Sequence, residues 1–144
     1  MTRGQIAIIL PNNEVMTSIE FNGDMYLTGH GYDVIEILRG VENRADYQLA
    51  VAKFNKENHN YCDCDTLTYL FDGESAKAML DFNKDYFDRW FSDYVYIKNL
   101  SKEPVKLNTR DTKDNDKPMV IEPNDILVLC FGRAVLHVIG DDED

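Results

Sequence analysis

The chain is short of cysteine, of positive charge and of long apolar runs. Its three cysteines are an odd number, and Cys62 and Cys64 are one residue apart. An exported disulfide scaffold uses paired cysteines, so the pattern points to reduced thiols and the cytoplasm. No apolar run reaches the roughly 20 residues that span a bilayer, which argues against a membrane partner. The opening MTRGQIAIILPNNE has one arginine, a short apolar run and no small-residue cleavage site. It reads as a strand rather than a signal peptide. Fifteen basic residues stand against 26 acidic ones, a formal charge of −11. Such a surface repels phosphate backbones and anionic lipid, which argues against direct nucleic-acid binding and for a basic protein as partner. Complete catalytic signatures are missing too: there is no G-x-S-x-G elbow, no H-E-x-x-H and no Walker lysine. The chain therefore leans away from an enzyme, and no cofactor is expected.

What is present suffices for a core. Apolar residues make up 44% of the 144, with seven Phe, eight Tyr and one Trp. One domain is the natural expectation at this length, here residues 1–140 with an acidic tail, 141–144. The fold class read from the pattern is α+β: an N-terminal antiparallel β-meander, three helices and a C-terminal antiparallel sheet.

Gln5 to Leu10, Val15 to Phe21 and Asp24 to Thr28 are the strands of the meander. Pro11-Asn12-Asn13-Glu14 and Asn22-Gly23 are its turns. Tyr32 to Arg39 predicts a short helix with Gly40 just past its end. Asn43 is the expected N-cap of a second helix, with Tyr47, Ala50, Val51 and Phe54 on one face. Asn55 to Asp65 is a polar loop, and Thr66 to Phe71 a strand. From Ser75 to Tyr96, apolar residues recur at helical spacing through Met79, Leu80, Phe82, Tyr86, Phe87, Trp90, Phe91 and Tyr94. This predicts a long third helix with a wide apolar arc. From Tyr94 the period becomes two, giving strands at Tyr94 to Leu100, Val105 to Thr109, Met119 to Ile121, Ile126 to Phe131 and Val135 to Ile139.

Four groupings could carry function. The acidic residues Asp81, Asp85, Asp88, Asp111, Asp114 and Asp116 could form a face for a basic groove, where complementary charge speeds association. The bland reading is a solvated surface. Asp24 with Gly29, His30 and Gly31 could bind a small molecule or nucleotide: glycines let amides converge on an anion at a helix start, and a carboxylate can orient an imidazole for acid–base work. The bland reading is a connector between strand and helix. His59, Cys62 and Cys64 are three zinc-type ligands in six residues without a second half, too few to commit to a metal. Tyr94 and Tyr96 could stack on bases, but such platforms sit in basic grooves, and a covered sheet face is the better reading. Exposed parts of Phe82, Tyr86 or Tyr94 could seat a homodimer; otherwise the chain is a monomer.

Thr2-Arg3-Gly4-x-Ile6, followed by Asn22-Gly23-Asp24-Met25-Tyr26-x-x-Gly29-His30-Gly31, resembles the start of small uncharacterised proteins encoded by phages and prophages. The resemblance covers about the first 35 residues and carries over no catalytic residue. It implies a phage or mobile-element origin, a source whose small acidic proteins often bind and block a host enzyme or defence complex; joined to the acidic surface, this gives the expectation of an inhibitor of a host nucleic-acid-binding or defence protein.

Overall fold

The computed structural model describes residues 2–59, 66–83, 93–113 and 117–140. It is an α+β fold built on β1 (Arg3–Leu10). The run IAIIL shows no alternation of polar and apolar residues, because both faces of this strand are covered. Ile6, Ile8 and Ile9 are each at most 1% exposed, and each such burial contributes roughly 2–3 kcal/mol.

Along one edge of β1 runs β2 (Glu14–Ser18), antiparallel in the register Ala7↔Thr17 to Leu10↔Glu14. The turn between them is Pro11–Asn13, with Asn12 and Asn13 at positive φ as their side chains allow. The same edge is continued by β3 (Phe21–Asn22), which pairs with Arg3 and Gly4. The third strand expected over Asp24 to Thr28 does not form. Beyond Asn22 the edge of β1 runs out, and the amides of Gly23 and Met25 both donate to the Thr2 carbonyl. The chain then leaves the sheet, and Leu27–Gly31 makes a wide helical turn into α1 (Tyr32–Arg39). The second helix, α2 (Arg44–Phe54), is capped as expected. Asn43 accepts from the Asp46 amide at 2.8 Å, and Asp46 accepts in return from the Glu42 amide at 3.0 Å. Asn55–His59 extends α2 by a wide turn, with Asn55 buried, where a loop was expected.

A short edge strand, β4 (Thr68–Phe71), lies antiparallel to β2. The helix α3 follows, but it spans only Gly73–Leu80 instead of running to Tyr96. Asn83 donates its amide to Ala78 O at 2.9 Å and Phe82 to Met79 O at 3.1 Å, with Phe82 at φ 56°. That is a Schellman stop with phenylalanine in the place where glycine is usual. Its ring is 8% exposed, so burial offsets the strained backbone. Tyr86, Phe87, Trp90 and Phe91 lie outside the described residues.

The remaining strand of the centre is β5 (Tyr94–Asn99), parallel to β1 from Gly4↔Tyr94 to Ile9↔Asn99. This pairing corrects the expectation of two separate antiparallel sheets. β8 (Ile126–Cys130) and β9 (Arg133–Val138) add antiparallel, giving the order β4-β2-β1-β5-β8-β9 with β3 also on β1. Between β5 and β8 come β6 (Val105–Leu107) and β7 (Met119–Ile121), which form a small sheet of their own. A one-turn helix, α4 (Arg110–Lys113), lies between those two. One face of the large sheet buries Ile6, Ile8, Tyr96 and Val128 against α1 and α2. The other buries Ala7, Ile9, Ile97 and Leu127 against α3 and the small sheet. No described helix is long and apolar enough to cross a membrane.

Two phenols are anchored inside this frame. Tyr47 donates to Ile6 O and Tyr96 to Met25 O, both at 2.6 Å. Burial pushes Tyr47 well above the ordinary 10.0. Burial also raises Tyr96, helped by Tyr94 and Cys130 nearby. Both keep their protons in the fold while the unfolded chain loses them near the ordinary value. The native state then holds more protons, so this stability is complete below that value and is lost as pH rises beyond it. The urea midpoint should therefore stay level up to the ordinary tyrosine range and fall above it. In a Tyr47→Phe/Tyr96→Phe variant most of that alkaline decline should vanish; an unchanged decline would refute the assignment.

Candidate interaction surface and its buried polar supports

The β5 sequence YVYIKN puts a charge into an apolar strand. Lys98 is 4% exposed, and its Nζ donates to Leu38 O and Val41 O, both at 2.7 Å, and to Arg39 O at 3.4 Å. It gives the Leu38 carbonyl a second donor beside the Val41 amide and caps the Arg39 and Val41 carbonyls at and just past the end of α1. Burial pulls the Lys98 pKa down, and the charge of Glu42 opposes that shift. A hollow of about 480 Å³ lies beside it, lined also by Arg39, Glu42 and Asn124. All three ammonium donors already have carbonyl partners, and Arg39 pairs with Glu36 at 3.3 Å.

A second node joins the ends of β5, β7 and β9. Asn99 is fully buried: its Nδ2 donates to Glu103 O and Ile121 O, and its Oδ1 accepts from the amide and hydroxyl of Ser101. Asp125 is 1% exposed. One of its oxygens accepts from the Glu122 amide at 3.1 Å and lies 2.8 Å from His137 Nε2; the other accepts from the Gly140 amide at 2.6 Å. An Asp–His pair is one half of a catalytic arrangement. Here the carboxylate clips the turn before β8 to the end of β9, and its partners are otherwise main-chain amides. Sequence reasoning took Pro123-Asn124-Asp125 for a turn and missed this role, because His137 is distant in sequence.

The expected small-molecule site is arranged differently from its outline. Asp24 is exposed and at φ 57°. The amides of Gly29 and Gly31 both donate to Tyr26 O, at 2.9 and 3.0 Å, and that of His30 donates to Asp24 O at 2.6 Å. These three N–H groups already point at carbonyls, so they do not form an anion cradle. The glycines are needed for packing: a side chain at Gly29 would meet the Asp24 carbonyl, and one at Gly31 the Tyr96 hydroxyl. The His30 ring sits edge-on to Phe54, with centroids 5.5 Å apart.

No group of three or more potential metal ligands occurs among the described residues. Cys62, Cys64 and the His59 side chain lie outside them. Tyr94 and Tyr96 do stack, with centroids 6.2 Å apart and planes at 19°, but Tyr96 is fully buried.

Of the acidic face, Asp81 and Asp111 are described, while Asp85, Asp88, Asp114 and Asp116 lie outside the described residues. Asp81 closes α3 and pairs with Lys77 at 2.6 Å. Asp111 pairs with Arg133 at 3.3 Å. Asn108 links the two segments, donating its amide to Leu80 O at 2.7 Å and its side chain to Asp81 O at 3.4 Å. The two carboxylates thus stand on neighbouring segments, with their side chains in contact with solvent. Ion pairs of this exposure contribute at most about 1 kcal/mol each, so neither is a fixture of the fold.

No protein-family model matches this chain, and no curated protein or solved structure is significantly similar to it.

The polar node makes its own prediction. Asp125→Ala leaves the part-buried amides of Glu122 and Gly140 without their acceptor and should cost about 1–3 kcal/mol in unfolding free energy. His137→Gln should cost no more than about 1 kcal/mol. Equal and small losses from both, measured by urea unfolding, would contradict the clip.

Proposed function

We propose that this chain is a non-enzymatic acidic interaction protein, encoded by a phage, that binds and blocks a basic host protein. The target is of the nucleic-acid-binding or defence type, and the action is by charge and shape in the host cytoplasm. The observation that carries the reading is a formal charge of −11 on a fold whose described buried side-chain polar atoms, Gln5 Oε1 excepted, have hydrogen-bond partners within the protein. Lys98, Asn99 and Asp125 close helix and strand ends and leave the outside to meet a partner. Asp81 and Asp111, on adjoining segments, begin the acidic face, and Asp85, Asp88, Asp114 and Asp116 follow them closely in sequence. Carboxylates in this number imitate the potential of a phosphate backbone and steer a basic groove toward them. The ligand reading around Asp24 and His30 is weaker, because the amides it needs already have carbonyl acceptors.

Capture from a host lysate at low and high salt tests the proposal. Asp81→Lys with Asp111→Lys should reduce capture of the principal bound protein by at least about tenfold, and high salt should do the same. Glu36→Lys with Glu57→Lys changes net charge equally and should leave capture nearly intact. Binding indifferent to salt, or equally reduced by both double variants, contradicts a specific acidic face.

A further inference from the structure

The β8–β9 hairpin turns on Phe131 and Gly132, both at positive φ, 51° and 81°. Two-residue hairpins of this kind favour Asn, Asp or Gly at their first position. A phenylalanine there costs about 1–2 kcal/mol of backbone strain. Phe82 adopts the same conformation, but its ring is buried and packs against Gly132. Phe131 has no such compensation, since it is 58% exposed. A strained ring held out in water points to a use outside the fold.

The surroundings indicate the use. Phe131 donates its amide to Asp93 O at 2.9 Å, beside half-buried Tyr94. Tyr94 stacks on Tyr96, whose hydroxyl lies against Gly31. Tyr32 follows Gly31 and is 54% exposed; Tyr26, its ring against Gly29, is 39% exposed. Aromatic rings therefore border one end of the sheet. Asp24 and Asp33 are exposed at the same end. Of the described cations there, Arg3 pairs with Glu20 and Asp93 and Arg133 with Asp111, while Arg110 donates its amide to Gly132 O at 2.8 Å.

We infer that this carboxylate-edged aromatic rim seats an arginine-bearing segment of a basic protein, with Phe131 as its anchor. The inference rests on the acidic-interaction reading and adds the chemistry of the contact. Guanidinium groups are weakly hydrated and stack on aromatic faces, while ammonium groups hold their water more strongly. Exposed aromatics ringed by polar groups are the usual energetic centres of interfaces.

Fluorescence anisotropy on the full chain tests it with three probes: an octa-arginine peptide, an octa-lysine peptide and an oligothymidine strand. Octa-arginine should bind about three- to tenfold tighter than octa-lysine, and oligothymidine should not bind. Phe131→Asn and Tyr32→Ala should each weaken octa-arginine about three- to tenfold. Leu49→Ala, at a 72% exposed site on α2, should change nothing. Asparagine suits the turn, so Phe131→Asn should melt no lower than the native chain, which separates lost binding from lost folding. Equal affinity for the two peptides, with both rim variants indifferent, overturns the rim and leaves the charge reading standing. Failure of both peptides to bind overturns the two together. Tight binding of oligothymidine overturns the inference in favour of a base-stacking platform.

Discussion

The pairing of β1 with β5 in parallel is the constraint from which the rest follows. Parallel neighbours cannot be joined by a hairpin, so a long crossover must lie between them. Here it carries α1, α2, β4 and α3, and it delivers helices to both faces of the central strands. Arg3 and Asp93, 90 positions apart, meet through the Arg3 amide and the Asp93 carboxylate at 3.0 Å. Contacts of such separation form late, after the loop entropy between them has been overcome.

Burying the sheet on both faces leaves helix and strand ends facing low-polarity surroundings, where open carbonyls and amides are costly. Lys98 answers this at the end of α1, Asn99 and Ser101 at the end of β5, and Asp125 at the turn before β8. Polar residues that resemble catalytic parts are thus accounted for by the architecture. Among the described residues, Asp81 and Asp111 make solvent-exposed ion pairs, and the ring of Phe131 stands exposed.

Elements set by local chemistry were legible in the sequence. Pro11-Asn12-Asn13 turns because asparagine tolerates positive φ, and α2 starts at Asn43 because its side chain caps the Asp46 amide. The parallel β1–β5 pairing was not legible, since no local pattern encodes a partner 90 residues away. The stop of α3 at Leu80 was hidden because Phe82, not glycine, holds the left-handed position. Its apolar side chain even continued the helical period. Nothing local in the strand marks Lys98 as a cap for a helix 60 positions away. Of the candidate residues, the sequence placed Asp81 and Asp111 on an exposed side but could not show that Asn108 joins their segments. Phe131 passed as the end of a strand because its strain exists only in the folded turn.

The central claim is that this molecule acts through its outer surface and not through its interior hollows. Amide chemical shifts followed by NMR during titration with a basic peptide test it most directly. The account predicts changes gathered at Tyr32, Tyr94, Asp81, Asp111, Phe131 and Gly132. Changes gathered instead around Lys98, Asn124 and Gly140, at the hollow beside the end of α1, would contradict it.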